Sequence, residues 1–147
     1  MKKTKVMVYF NIKGDDFPLE IVTELLGITP TKTMKKGELR DCNNPKHTPY
    51  SFTSWSYGTD YKETLDIDDQ LLPVLEALKN KIDIINEIQS TYNTECSIVI
   101  VPEIYNGRAP GSVFDKDTIE FAYRVNASIE IDLYAMPYAD DYTEVEY

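Results

Sequence analysis

The chain has 147 residues, of which 25 are acidic and 15 are basic, so its formal net charge near pH 7 is −10. This length corresponds to about one domain and is enough to bury a core without help from disulfides or metals. A hydrophobic fraction of 42% excludes a wholly disordered chain, and the acidic balance argues against a protein that coats a nucleic-acid backbone.

The sequence predicts no signal peptide and no membrane span. The apolar stretch at residues 6–10 is too short for a signal-peptide core, and no apolar run approaches the roughly 20 residues that cross a bilayer. Cys42 and Cys96 lie far apart in unlike contexts and give no disulfide framework. We therefore expect a soluble cytoplasmic protein with reduced cysteines.

The first third of the chain predicts a strand, a helix and a long connection. Alternating apolar residues at 6–12 are typical of a strand with one buried face. An Asp just before Phe17-Pro18 is expected to cap a helix through its carboxylate, and Gly27 is placed to end that helix in a left-handed conformation. Residues 31–49 form a polar connection, and residues 50–61 predict a second strand.

A long central helix is predicted between about residues 65 and 92, where apolar residues recur at helical spacing. Pro73 and Asn80 are the positions where this helix is expected to start late, kink or break. The continuous apolar run at 97–104 predicts a central strand, with Pro102 marking a bulge or an edge near its end.

The last third adds a helix and a strand. Asp115 and Asp117 precede a short third helix, and alternation at 129–133 predicts a last strand with an acidic outer face. A strand–helix–strand pattern thus occurs at 6–57 and again at 97–134.

Two βαβ-type halves of this kind can pair into a ferredoxin-like arrangement. We predict an α+β fold with an antiparallel or mixed sheet and about three helices, its halves joined by the long central helix. The single domain would span residues 1–136, followed by a loose acidic tail at 137–147.

Several short motifs of turns, caps and apolar positions resemble a known family. They are Phe10-x-Ile12-x-Gly14, Pro18, Leu26-Gly27-Ile28-x-Pro30-Thr31, Gly37, Ser54-Trp55-Ser56 and Ile129-Glu130-Ile131-Asp132. This set resembles the bacterial family labelled domain of unknown function 4279 (DUF4279) over about residues 6–134. The resemblance concerns the fold and implies no catalytic residue.

The sequence offers no metal, cofactor or catalytic constellation. His47 is the single histidine, and neither a close Cys pair nor a close His pair accompanies it as a zinc site requires. The acidic residues at 66–69 lack the Gly and Glu of a calcium loop, and helix capping accounts for them. No cofactor, metal or catalytic residue is predicted, and whether the chain is an enzyme stays open, with a non-enzymatic role favoured.

Charge and aromatic residues give the candidate binding residues. Residues 1–50 carry nine basic and six acidic side chains, whereas residues 51–147 carry six basic and 19 acidic ones. Basic residues concentrate in the 31–46 loop, beside an aromatic strand. Core packing explains Trp55 better than a binding role does, and the two explanations are even for Tyr57 and Tyr61. The candidates for contact with a ligand or partner are Lys32, Lys35, Lys36, Arg40, Trp55, Tyr57 and Tyr61.

Three functional hypotheses follow. The first is a non-enzymatic module that docks a basic protein through an acidic surface, as an immunity protein neutralises a basic toxin. The second is a small-ligand or nucleotide-binding module that uses the 31–46 loop and the strand of Trp55 and Tyr57. The third is an enzyme of unknown class. Neither a membrane nor nucleic acid is an expected partner.

Overall fold

The computed structural model describes residues 2–39 and 48–138, which form one mixed sheet with helices packed against it. Its strands are β1 (Lys5–Gly14), β2 (Lys32–Met34), β3 (Thr53–Gly58), β4 (Lys62–Glu63), β5 (Glu95–Ile104), β6 (Ala127–Ile131) and β7 (Tyr134–Ala135). Its helices are α1 (Leu19–Leu26), α2 (Asp68–Leu78), α3 (Ile82–Tyr92) and α4 (Lys116–Arg124). The predicted α+β class and mixed sheet are confirmed.

The strands follow the order β2-β3-β1-β5-β6, with β4 beside β1 and β7 beside β5. β3 and β5 flank β1 and both run antiparallel to it, while β2 is antiparallel to β3 and therefore parallel to β1. β5 and β6 are parallel neighbours. The two halves at 6–57 and 97–134 are thus not equivalent, because the first pairs its long strands antiparallel and the second pairs them parallel.

The two sides of the sheet have different environments. Side chains at alternate positions of β1, namely Val6, Val8, Phe10 and Ile12, are fully buried in one cluster with residues of all four helices. The intervening residues of β1 and their cross-strand neighbours lie on the opposite side, which no helix covers in the described chain. We call this second side the open face.

The predicted central helix is two helices, so the described chain has four helices rather than about three. The break falls at Lys79–Lys81 and contains Asn80, whose side chain favours turns over helix interiors. Pro73 lies inside α2 without ending it, because its ring is on the exposed side and only one backbone hydrogen bond is lost. With the central helix divided, no helix in the described part has the length and apolarity needed to cross a membrane.

The Asp before Phe17 does not cap α1. The helix begins after Pro18 without a side-chain cap, and the Asp16 carboxylate instead accepts hydrogen bonds from Lys35 Nζ and Thr53 Oγ1. The Asp16 carboxylate thus binds residues that are distant in sequence and not the backbone amides at the start of α1.

Two other local signals behave as predicted, whereas the bulge or edge predicted at Pro102 is wrong. Gly27 ends α1 with a left-handed φ of 66°. Asp115 caps α4, its side chain accepting from the Thr118 amide at 2.9 Å. Pro102 is neither at a bulge nor at an edge, since β5 pairs continuously with β1. On the other side of β5, Pro102 falls between the segments that pair with β6 and β7, where its missing N–H costs no ladder bond.

Candidate functional site

The open face forms a concavity of about 840 Å³ lined by residues of all five strands of the main path. A volume of this size lies within the range of natural ligand pockets. Because each strand alternates its side chains between the two faces, the residues of β1 that line the concavity come from every second position, namely Met7, Tyr9, Asn11 and Lys13.

A row of five polar residues crosses the concavity from one edge of the sheet to the other. The strand register pairs Lys32 with Ser56, Ser56 with Asn11, Asn11 with Ser97, and Ser97 with Ser128. We call these residues the polar row. It covers four strand spacings, or roughly 19 Å. The opposite side of the same strands is apolar, so this row is a distinct chemical feature of the open face.

Hydrogen bonds fix the middle of the polar row and leave part of it unused. Asn11 Oδ1 accepts from Ser54 Oγ at 2.6 Å and from Ser56 Oγ at 2.8 Å. Within the described chain, Asn11 Nδ2 has no hydrogen-bond partner. The same holds for the hydroxyl of Ser97, a residue only 8% exposed that lines the concavity. The Ser97 hydroxyl is not sealed from solvent, since Thr94 Oγ1 is the described side-chain atom that is buried without a partner, so Ser97 is free to contact a polar group that enters the concavity.

Charged side chains of both signs line the open face. Lys32 on β2 lies at one edge, and Lys13 on the central strand β1 lies opposite its cross-strand neighbour Glu95, with Lys13 Nζ 4.2 Å from the centroid of the Phe52 ring. Glu130 and Asp132 lie at the other edge, on and just after β6. Lys13, Lys32, Glu130 and Asp132 form no ion pair with a described residue. The β6 edge is therefore negative, whereas the rest of the face carries both signs, since Asp60 also lines the concavity.

The acidic edge of the open face includes tyrosines. Burial, together with the charges of Asp132 and Glu130, raises the pKa of Tyr9 above its ordinary value. Tyr134 donates a hydrogen bond from its hydroxyl to Asp132 Oδ2 at 3.2 Å. Tyr9 is therefore a neutral phenol near pH 7, beside two carboxylates.

Lys35 and Lys36, two of the predicted binding residues, form intramolecular ion pairs at the surface. Lys35 Nζ lies 2.5 Å from Asp16 Oδ1 and also donates to the Phe17 carbonyl at 3.0 Å. Lys36 Nζ lies 2.6 Å from Asp15 Oδ1. These pairs join the β2–β3 connection to the turn after β1. The charges of Lys35 and Lys36 are partly neutralised by the two aspartates.

Trp55 and Tyr57 lie on the helix-covered side of β3, away from the open face. Trp55 is fully buried, and its indole Nε1 donates to Thr23 Oγ1 of α1 at 3.0 Å. Tyr57 is partly buried against the same core cluster. Trp55 therefore anchors a helix to the sheet and does not form part of a surface platform.

The remaining sequence candidates are not gathered at one place. Tyr61 is 39% exposed, and Lys5 Nζ lies 4.8 Å from the centroid of its ring. Burial and the nearby Glu103 raise the pKa of Tyr61. Arg40 and His47 lie outside the described residues. Of the predicted candidates, Lys32 is the one that the structure places in the polar row.

An acidic cluster lies where α2 begins. Burial, and then the carboxylates of Asp66 and Asp115, raise the pKa of Asp68. Asp66 Oδ1 accepts from the Asp68 amide at 3.0 Å, and Thr64 Oγ1 donates to Asp69. Over residues 2–39 and 48–138, no group of three or more His, Cys, Asp or Glu side chains is arranged to hold a metal ion.

Sequence reasoning missed the polar row. Its members are individually ordinary, and each lies in a different stretch of chain. A partial signal exists in the polar alternate positions of β1 and β3, where Asn11, Lys13, Ser54 and Ser56 all face one side. Which residues of different strands become neighbours depends on register, which these alternations do not determine.

Comparison with known proteins identifies one family. A family model described as "Domain of unknown function (DUF4279)" matches residues 3–136 of the 147 residues. No curated protein and no solved structure matches the chain. Since the family model covers most of the chain, the protein belongs to the DUF4279 family.

Proposed function

We propose that this protein is a non-enzymatic, cytoplasmic binding module that docks a segment of a basic protein partner on its open face. The observation that carries the proposal is the polar row, which retains unused hydrogen-bonding groups on a sheet face that no described helix covers. A module that neutralises a basic toxin, in the manner of an immunity protein, is one concrete form of this function.

The dimensions of the polar row favour a polypeptide over a compact small molecule. Its length of roughly 19 Å corresponds to about six residues of extended chain at 3.3 Å each. A polypeptide segment supplies one amide N–H and one carbonyl per residue. These groups match hydroxyl and amide side chains that both donate and accept, as in Asn11, Ser97 and Ser128.

The charge distribution favours a basic partner. Residues 51–147 carry 19 acidic against six basic side chains, and two of the acidic ones, Glu130 and Asp132, border the concavity. An acidic surface accelerates encounter with a basic protein through electrostatic steering, an effect that salt screens over about 10 Å at 0.1 M. Association is therefore expected to slow as salt rises.

The test uses a matched pair of variants in a capture experiment. Ser128→Arg places a bulky cation on the polar row at an exposed position of β6, whereas Ser90→Arg makes the same change on α3, on the helix side. Each immobilised protein is exposed to native lysate of its source organism at low salt, and bound proteins are identified by mass spectrometry.

We expect wild type and Ser90→Arg to retain the same basic protein and Ser128→Arg to retain at least about tenfold less of it. Raising the salt concentration should weaken capture by wild type. If no protein depends on Ser128, or if Ser90→Arg loses capture equally, the open face is not the docking surface.

A second candidate function is the binding of a small anionic ligand, as the sequence also suggested. Lys13 and Lys32, which have no ion pair among the described side chains, border the concavity near the unpartnered Asn11 amide. An anionic metabolite or nucleotide at millimolar concentration would then raise the melting temperature of wild type and not of Lys32→Glu. If no such compound stabilises wild type, this candidate fails.

We also propose that β1, α1, β2, β3, α2, α3 and β5 form a ferredoxin-like core to which α4 and β6 are added. The strand order β2-β3-β1-β5, with β3 between the parallel strands β1 and β2, supports this view. A solved structure that superposes on ferredoxin-like proteins over these elements would test it.

A further inference from the structure

A gap at the acidic edge of the open face lies between a tyrosine and two carboxylates. The register pairs Tyr9 with Val99 and Val99 with Glu130, so Val99 forms the floor between two longer side chains. The Cα atoms of Tyr9 and Glu130 are two strand spacings apart, or roughly 10 Å. Asp132 follows on the same edge and also lines the concavity.

The charges around this gap lack a counterion. No lysine or arginine of the described segments pairs with Glu130 or Asp132, and Tyr134 gives Asp132 only a neutral hydrogen bond. Both carboxylates act on Tyr9, because their charges contribute to the raised pKa of its phenol. The gap therefore has an aromatic wall, an apolar floor and a negative rim.

An independent observation identifies a free polar group in the same concavity. Ser97 lies on β5 two positions before Val99, faces the concavity, and is 8% exposed with no hydrogen-bond partner among the residues described. Its Oγ is open to the concavity, because Thr94 Oγ1 is the described side-chain atom that is buried without a partner, and it can therefore bond a polar group that enters. Ser97 lies next to Ser128 of the polar row, on the same side as the gap.

We propose that this gap binds the guanidinium group of an arginine in the partner segment, with Ser97 hydrogen-bonding the backbone of that segment. The inference rests on the proposed docking function and specifies its chemistry. A guanidinium group is planar, stacks on an aromatic ring and donates to two carboxylates at once, whereas an ammonium group is a strongly hydrated point charge. An arginine therefore fits a tyrosine wall with two carboxylates better than a lysine does.

The test uses short peptides as probes, so it does not require the natural partner. An acetylated and amidated Gly-Ser-Arg-Ser-Gly peptide is titrated into the ¹⁵N-labelled protein, beside the same peptide with citrulline in place of arginine. Citrulline has nearly the same shape and no charge. Amide shifts identify the binding position and give the two affinities.

We expect the arginine peptide to shift the amides of Ser97, Val99 and Glu130 and to bind about five- to tenfold more tightly than the citrulline peptide. The Glu130→Gln/Asp132→Asn double variant should remove this preference. Its matched control, Asp83→Asn/Glu87→Gln, removes two exposed carboxylates of α3 and should keep the preference. All four substitutions are at exposed positions.

Equal affinity for the two peptides, unchanged preference in the Glu130→Gln/Asp132→Asn variant, shifts confined to the helices, or no shift at about 10 mM peptide would each overturn the inference. Its failure is separable from that of the proposed function. If Ser128→Arg abolishes capture of a partner while the arginine peptide fails, docking stands and the arginine site falls. If instead the arginine peptide binds as expected while Ser128→Arg leaves capture unchanged, the arginine site stands and protein docking falls.

Discussion

Replacing Gly58 by alanine tests how closely β3 approaches β1. Gly58 is opposite Tyr9, and a Cβ at this position would lie 2.2 Å from the Val8 carbonyl oxygen and 2.5 Å from Tyr9 Cα. Ordinary contacts between a carbon and such atoms are about 3.3–4.0 Å, so the overlap exceeds 1 Å. Both atoms belong to the backbone, and neither can rotate away.

The cost follows from what must move. The Val8 carbonyl also accepts from the Thr59 amide at 2.9 Å, so separating the strands weakens that hydrogen bond as well. Overpacking costs typically about 1–3 kcal/mol, and a clash with backbone belongs at the upper end. We expect Gly58→Ala to lower the free energy of unfolding by about 3 kcal/mol, which corresponds to a fall of about 6–12 °C in Tm for a chain of this size.

Urea unfolding followed by circular dichroism measures this loss, with two other glycines as controls. At Gly111 a Cβ would meet its nearest neighbour, the Leu65 carbonyl oxygen, at 3.6 Å, so Gly111→Ala should change stability by less than about 0.5 kcal/mol. Gly37 has open space but a φ of +89°, so Gly37→Ala should cost about 1–2 kcal/mol from backbone strain alone. A Gly58→Ala midpoint equal to that of Gly111→Ala would refute the close approach of the two strands.

Three further predictions concern the core, a helix cap and a thiol. Trp55→Phe should cost about 1–3 kcal/mol in urea unfolding, because it removes buried volume and the hydrogen bond to Thr23; an unchanged midpoint would contradict the burial of the indole. The backbone hydrogen bond that caps α4 holds the pKa of Asp115 below 3.8, so its stabilisation is fully present above that value and lost as pH falls through the lowered pKa. Asp115→Asn should therefore lessen the loss of stability that follows acidification below about pH 5, and an identical pH profile would oppose the capping role. Burial raises the pKa of Cys96 to about 12, so in a Cys42→Ser background a thiol reagent at about pH 8 should label it only after unfolding; rapid labelling of the native protein would count against this.

Elements governed by local chemistry could be predicted from the sequence. The alternation in β1 matches its burial pattern, because a strand with one covered face requires apolar residues at every second position. Gly27 and Asp115 end and begin their helices as predicted, since each acts on backbone groups within four residues. Such signals depend little on the rest of the fold.

Elements decided by distant residues could not be predicted in this way. The carboxylate of Asp16 binds Lys35 and Thr53, which follow it by 19 and 37 positions, instead of the adjacent helix. Apolar residues of α1 recur at helical spacing, yet two of them, Ile21 and Leu25, are each 43% exposed. Periodicity indicated the side of the helix that faces the core but not how much of that side the sheet covers.

The candidate site depends on distant pairing more than any other part of the molecule. Each member of the polar row comes from a different strand, and no two are within 20 positions of each other in the sequence. Net charge did not indicate it either, because the concavity combines lysines and carboxylates. A slip of one residue in the pairing of β5 would put Ile98 beside Asn11 in place of Ser97 and move an apolar side chain onto the open face. The buried pattern of β1 and β5 prevents that slip, because it would expose Ile98 and Ile100 together, so the packing of the core is also what assembles the polar row.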